Sequence, residues 1–210
     1  MERSDPHIIM PNPPQVSPPE TEIIIELAKR QLPVPGDCVE LGCYRGDTSL
    51  VLRRLLRDAT PSRPNISPHR LWLYDSFAGL PAKSSEDSSV AGDAFTAGAL
   101  NVTKREVVER FKKANLPVPT IKKAFFEELS PTDLPEQISF AFLDGDLYQS
   151  IKTSLSLVTP RLHPQGLIIV HDYNNPELPG VSRALDEFLA THPGHFKLQL
   201  RHTLAILTPS

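Results

Sequence analysis

The chain has 210 residues, 40% of them hydrophobic and 22% charged, which is enough for one buried core and too few for two ordinary domains. A net charge of −3 without a long Lys or Arg run argues against nucleic acid or an anionic membrane as partner. No stretch approaches the ~18 apolar residues of a membrane span, and the first residues lack a signal-peptide pattern. We therefore expect a cytoplasmic protein that binds a small molecule.

The order of predicted elements begins with a proline-rich arm over residues 1–19, where proline removes backbone donors and blocks helix formation. A single domain over 20–210 follows, in which strands and helices alternate. The predicted helices are 20–31, 47–57, 103–115, 147–158 and 181–191. The predicted strands are 38–41, 71–74, 120–123, 138–143 and 167–170, with a closing pair at 196–200 and 203–207.

This alternation predicts an α/β fold with a doubly wound, mostly parallel sheet and helices on both faces. In such sheets, ligands bind beyond the carboxyl ends of the strands, where the winding reverses direction. The segment 81–101, after the second strand, is rich in Ser, Ala, Gly and Asp and has no clear period. A loop of this length is typical of a lid over a ligand or of a disordered segment.

The turn after the first strand reads Gly-Cys-Tyr-Arg-Gly at residues 42–46. A dinucleotide-binding turn, G-x-G-x-x-G, would carry glycine where this chain has Tyr44. The turn keeps its tight geometry but loses the easiest seat for a phosphate, so a nucleoside ligand without phosphates, such as S-adenosylmethionine, fits better. Asp75, ending the second strand, could accept both ribose hydroxyls. The alternative is a bare strand-to-helix connection that binds nothing.

Two further stretches, FLDGDLYQS and IIVHDYNN, each follow an apolar run typical of a central parallel strand. Their polar residues should therefore meet at one edge of the sheet. Asp144, His171 and Asp172 offer two carboxylates and an imidazole, which suits an open site for a divalent cation. His171 could ligate that cation, act as general base or bond a backbone carbonyl. Asp146 is expected to cap the helix that follows it.

The runs VELGCYRGDTS, YDSFAGLP, FLDGDLYQS and IIVHDYNN, in unbroken order over roughly 20–191, resemble the macrocin O-methyltransferase (TylF-like) family. They resemble the metal-dependent catechol O-methyltransferases more distantly. The resemblance implies a Rossmann-like class I methyltransferase fold with a seven-stranded, mostly parallel sheet whose last strand is antiparallel. It also implies S-adenosylmethionine, Mg²⁺ or another divalent cation, and a homo-oligomer as one possible assembly.

Matching positions carry the family's functional residues onto this chain. The cofactor-binding residues implied by the resemblance are Glu40, Gly42, Tyr44, Thr48, Asp75, Ser76 and Phe125. We expect Cys43, Gly46, Phe77 and Asp144 to contact the cofactor as well. The implied metal ligands are Asp144, His171 and Asp172, and the implied catalytic residues are His171 and Asp144. Relatives commonly carry an acid or a small residue where this chain has His171, so a softer ion or no ion is an alternative. The lysine base of the catechol enzymes corresponds to Leu147, which leaves His171 or a metal-bound water as candidate bases.

The function expected from these residues is a methyl transfer from S-adenosylmethionine to a hydroxyl of a sugar, phenol or other small natural product. A small nicotinamide-dependent dehydrogenase is one alternative, against which Tyr44 and the lack of a Tyr-x-x-x-Lys pair argue. A non-catalytic binding protein that keeps the methyltransferase fold is the other.

Overall fold

The computed structural model describes residues 14–59, 69–92 and 94–210. Residues 1–13 of the predicted arm lie outside the described residues. The regular structure begins at Pro18, two positions before the predicted start, because Ser17 caps the first helix. The Ser17 hydroxyl accepts from the Glu20 backbone N–H while the Glu20 carboxylate accepts from the Ser17 N–H, which forms a capping box.

In the part of the chain that the structure describes, five helices and seven strands carry the fold, and each confirms an element that the sequence predicts. The helices are α1 Pro18–Gln31, α2 Asp47–Ala59, α3 Lys104–Lys113, α4 Tyr148–Val158 and α5 Pro179–Thr191. The strands are β1 Asp37–Leu41, β2 Leu71–Asp75, β3 Thr120–Lys123, β4 Ile138–Leu143, β5 Leu162–Val170, β6 Phe196–Arg201 and β7 Leu204–Pro209. β5 begins at Leu162 rather than at 167, because its more exposed first half carries a proline and a glycine that hid the strand pattern.

The strands form one sheet in the order β3-β2-β1-β4-β5-β7-β6. β1 to β5 pair in parallel, and β7 is antiparallel to both of its neighbours. The predicted fold class is therefore confirmed. β1 and β4, at the centre, are buried along their whole length, as expected for parallel strands covered on both faces.

Helices cover both faces because side chains alternate along each strand. On β4, Phe140 and Phe142 pack with α1, α2 and α3, whereas Ala141 and Leu143 pack with α4 and α5. None of these helices, within the described residues, has the length and apolar character needed to cross a membrane.

The winding reverses between β1 and β4, since the chain builds β2 and β3 on one side of β1 before returning to β4 on the other. The two strand ends lie very close together at this point. A Cβ added to Gly42 would sit 2.0 Å from the Asp144 carbonyl oxygen, and Gly42 has a φ of +89°. Only glycine allows this approach, which places the first turn against the residues that follow β4.

The described residues of the segment 81–101 make contacts with the body of the protein, through Ser89 and Asp87. Leu80 exchanges backbone hydrogen bonds with Gly98 and Ala99, which closes the segment at its base. Asp87 lies in a short 3-10 turn and is 2% exposed. Its Oδ1 accepts from the Tyr148 backbone N–H at 2.7 Å. Action as a lid stays a prediction.

Candidate functional site

A pocket opens at the carboxyl edge of the sheet, at the reversal between β1 and β4. Its empty volume is about 830 Å³, which includes space open to solvent. Every parallel strand end contributes to its wall. The lining includes Gly42, Tyr44, Asp75, Ser76, Phe125, Phe126, Asp144, Gly145, Asp146, His171 and Asp172. Leu80, Pro81, Phe95 and Leu100 of the 81–101 region and its base add an apolar side.

Backbone strain is concentrated beside this pocket. Tyr44, Phe77, Asp146 and Asp172 have φ values of +42°, +47°, +60° and +60°, one after each of the four neighbouring strands β1, β2, β4 and β5. Each left-handed residue of this kind costs roughly 1–2 kcal/mol. Such conformations persist where surrounding structure imposes them, and they cluster at functional sites.

Asp75 ties two of these strained turns together. Its Oδ2 accepts from the backbone N–H groups of Cys43 and Tyr44 at 3.0 and 2.9 Å, and its Oδ1 accepts from Phe77 N–H at 2.8 Å. Burial raises the pKa of Asp75, and these three hydrogen bonds oppose that rise. A carboxylate has about four acceptor sites. The acceptance of both ribose hydroxyls by Asp75 stays a prediction.

Five predicted cofactor contacts lie outside the pocket lining: Glu40, Cys43, Gly46, Thr48 and Phe77. Glu40 is 1% exposed and accepts from the Ser49 hydroxyl at 2.6 Å. Burial raises the pKa of Glu40 to about 8, and the carboxylates of Asp144 and Asp75 add to that rise. Direct contact between these five residues and a cofactor stays a prediction.

The predicted metal ligands do converge. Nδ1 of His171 lies 2.8 Å from Oδ1 of Asp144 and 3.0 Å from Oδ2 of Asp172. Candidate ligand atoms of all three residues lie within 4.8 Å of one another. The 2.8 and 3.0 Å contacts are hydrogen-bonded ion pairs, whereas two carboxylates and an imidazole are donor types that divalent cations accept.

The protonation of this cluster follows from its charges. Burial alone would lower the pKa of His171, but Asp144, Asp172 and Glu20 raise it well above its usual value. The ring nitrogens face carboxylates on both sides, since Nε2 lies 3.7 Å from Oε2 of Glu20. The expectation that His171 bonds a backbone carbonyl is therefore wrong.

Asp146 is the residue that sequence reasoning misassigned. α4 begins at Tyr148, and the Tyr148 backbone N–H donates a hydrogen bond to Asp87. The expectation that Asp146 caps this helix is therefore wrong. Asp146 instead lines the pocket. Burial, followed by the charges of Asp144 and Asp172, raises the pKa of Asp146 well above its usual value. The Asp-Gly-Asp spacing was the signal that two acids leave one strand end together.

Comparisons with known proteins identify relatives along most of the chain. The family model for macrocin-O-methyltransferase (TylF) matches residues 22–199. The 8-demethyl-8-(2,3-dimethoxy-alpha-L-rhamnosyl)-tetracenomycin-C 4'-O-methyltransferase of Streptomyces olivaceus is 31% identical over 145 residues, or 67% of this chain and 54% of the relative. Demethyldecarbamoylnovobiocin O-methyltransferase of Streptomyces niveus is 30% identical over 164 residues, or 75% of this chain and 59% of the relative.

The fold comparison agrees. The solved structure of the O-methyltransferase NovP superposes with a TM-score of 0.74 and 25% identity, covering 90% of this chain and 79% of that one. The matches to the two Streptomyces relatives span little more than half of their lengths. Neither relative is named as a dehydrogenase, so the similarity does not favour that alternative.

Proposed function

The chain belongs to the macrocin O-methyltransferase (TylF) family, and on this premise we propose that it transfers a methyl group from S-adenosylmethionine to a hydroxyl of a natural-product sugar or phenol. The observation that carries the proposal is the pocket at the β1/β4 reversal. There the anchored Asp75 and the acids Asp144, Asp146 and Asp172 line one cavity. A cationic sulfonium is favoured by carboxylates in a partly buried site.

The cofactor half of the pocket is the wall formed after β1, β2 and β3. Gly42 and Tyr44 line this wall from the turn that precedes α2, and Asp75 beside them is the candidate acceptor for the ribose hydroxyls. The Phe125 ring offers a face for the adenine. Binding there would place the methyl group near the acids after β4 and β5.

The acceptor oxygen attacks the methyl carbon in line, a carbon–oxygen bond forms, the carbon–sulfur bond breaks, and S-adenosylhomocysteine leaves. The hydroxyl proton must also depart. Asp146 lines the cavity and serves no helix cap, so its carboxylate form is placed to take the proton, and the burial that raises its pKa makes that carboxylate a stronger base. Alignment of the two reactants supplies much of the acceleration, and a positioned base typically adds 10²–10⁴-fold.

We propose that Asp144, His171 and Asp172 hold a divalent cation beside the acceptor, which requires the cation to displace the proton that these carboxylates favour on His171. Carboxylates suit Mg²⁺, whereas an imidazole ligand moves the preference toward ions such as Mn²⁺, Co²⁺ or Zn²⁺. A bound cation supplies a lower pKa for a coordinated hydroxyl. The protein itself holds the three ligand side chains in place, because they follow the ends of β4 and β5, which pair side by side.

Calorimetric titration with S-adenosylmethionine and with S-adenosylhomocysteine tests the proposal. We expect saturable binding in the micromolar range, and methyl transfer to a hydroxylated sugar or phenol in a panel assayed by mass spectrometry. Asp146→Asn should keep cofactor binding and lose transfer. A folded protein that gives no heat at high micromolar cofactor would contradict the proposal.

A further inference from the structure

Glu20 is a buried carboxylate outside the pocket lining. It lies in the first turn of α1 and is 5% exposed. Its Oε2 accepts from the Ser17 backbone N–H and hydroxyl at 3.2 and 2.6 Å. Its Oε1 accepts from the Thr203 N–H and hydroxyl in the turn between β6 and β7. The capping box uses only the Ser17 contacts, so the Thr203 contacts indicate that Glu20 has a second role.

The second role of Glu20 concerns the imidazole of His171. Glu20 Oε2 lies 3.7 Å from Nε2, and Glu20 is not among the residues that line the pocket. The other ring nitrogen, Nδ1, faces Asp144 and Asp172 at 2.8 and 3.0 Å. The Glu20 contact is longer than a hydrogen bond and acts on the ring through charge, so it restrains the ring's orientation together with the shorter contacts at Nδ1.

The carboxylate is itself held rigidly. Both oxygens receive backbone N–H donors, one from Ser17 and one from Thr203, and a backbone N–H cannot become an acceptor. A glutamine at this position would have to direct its NH₂ group against one of these donors. The site therefore specifies an anion, and it joins α1, the β6–β7 turn and the end of β5.

We infer that Glu20 is a positioning residue that holds the His171 ring with Nδ1 toward the pocket. The inferred effect on methyl transfer rests on the proposed function, whereas the ring orientation does not. The inference also gives α1 a role at the site, although no part of that helix lines the pocket.

Three variants and a matched control test it. Glu20→Gln removes the charge, Glu20→Asp keeps the charge but withdraws it by one methylene, and Thr203→Val removes one donor that holds the carboxylate. Glu26→Gln is the matched control. Glu26 also connects α1 to β6, through an ion pair with Arg201 at 2.9 Å, and this contact does not involve the imidazole. Thermal unfolding shows which variants are folded.

The direct readout is the imidazole ¹⁵N spectrum of protein labelled on histidine, with and without Mg²⁺, where His171→Asn assigns the His171 signals. We expect Glu20→Gln and Glu20→Asp to shift or broaden the Nε2 signal, Thr203→Val to do so less, and Glu26→Gln to leave it in place. Unchanged His171 signals in the folded Glu20 or Thr203 variants would overturn the inference. This readout does not depend on any methyl acceptor.

Kinetics supply the second readout if methyl transfer is found. Loss of a carboxylate behind a functional histidine typically costs about 10–100-fold. We expect Glu20→Gln to lower kcat by roughly this factor while KM for the cofactor stays the same, and to add nothing in a His171→Asn background. An equal loss in both backgrounds would mean that Glu20 acts without His171, which would overturn the inference.

Discussion

Asp87 accepts a hydrogen bond from the backbone N–H of Tyr148 at 2.7 Å, so the segment beside the pocket is anchored to the start of α4. The other carboxylate oxygen accepts from the Ser84 N–H and hydroxyl at 2.9 and 2.7 Å. One buried side chain thus satisfies the helix end and also shapes the loop that contributes Phe95 to the pocket.

Asp87→Ala should destabilise the protein by about 1–2 kcal/mol, because a buried helix N–H loses its partner. The 81–101 segment should also become more open to limited proteolysis. Glu86→Gln, at the neighbouring position, is the control. Equal thermal unfolding midpoints and cleavage rates for Asp87→Ala and the control would contradict this role.

Gly180→Ala should also destabilise, although alanine is the better helix former by ~1 kcal/mol. A Cβ at Gly180 would lie 2.0 Å from Asp87 Oδ1 and 2.9 Å from the Tyr148 nitrogen. The clash should therefore outweigh the helix preference. Chemical denaturation of a double-mutant cycle checks the cause, since Gly180→Ala should cost less when Asp87 is already alanine. An unchanged cost would show that the destabilisation by Gly180→Ala does not arise from a clash with Asp87.

The residues that the sequence predicted to lie close together all follow parallel strands. Parallel strands end at one edge, so Asp144, His171 and Asp172 could be brought together from strand patterns alone. The contacts of Asp87 and Glu20 could not, because each joins segments far apart in sequence through side chains that look like ordinary loop or cap residues. Asp146 was misassigned because a φ of +60° is not visible in a sequence, and the cap came from elsewhere.

Asp75→Asn should weaken both the fold and cofactor binding. Asparagine has one acceptor oxygen, whereas Asp75 accepts three backbone N–H groups across two turns. We expect a loss of about 1–3 kcal/mol in the free energy of unfolding together with weaker binding of S-adenosylmethionine by calorimetry. Weaker binding with unchanged stability would instead mean that Asp75 acts only on the ligand.

Glu40 should make stability depend on pH. Its pKa is about 8 when folded and 4.5 as a free side chain. Folding therefore favours the protonated form, whose stabilising contribution is complete below pH 4.5 and is lost as the pH rises toward 8. Glu40→Gln removes this dependence and can still accept from Ser49. Urea denaturation across pH 5 to 8 should show that the free energy of unfolding of the variant rises relative to that of the wild type as the pH increases. Parallel pH profiles of the two proteins would contradict the assignment.

His171→Asp tests the cation site directly. The change replaces an imidazole by a carboxylate, which suits Mg²⁺ better than the softer divalent ions. It also leaves the acids Glu20, Asp144 and Asp172 without the imidazole that they face, so the metal-free variant should be less stable than the wild type. Added Mg²⁺ should therefore raise its melting temperature more than that of the wild type. Titration of both proteins with Mg²⁺ and Mn²⁺, monitored by thermal unfolding after chelation, measures the difference. Melting temperatures that do not respond to either ion in either protein, together with methyl transfer that survives exhaustive chelation, would reject the cation while leaving the pocket and its cofactor in place.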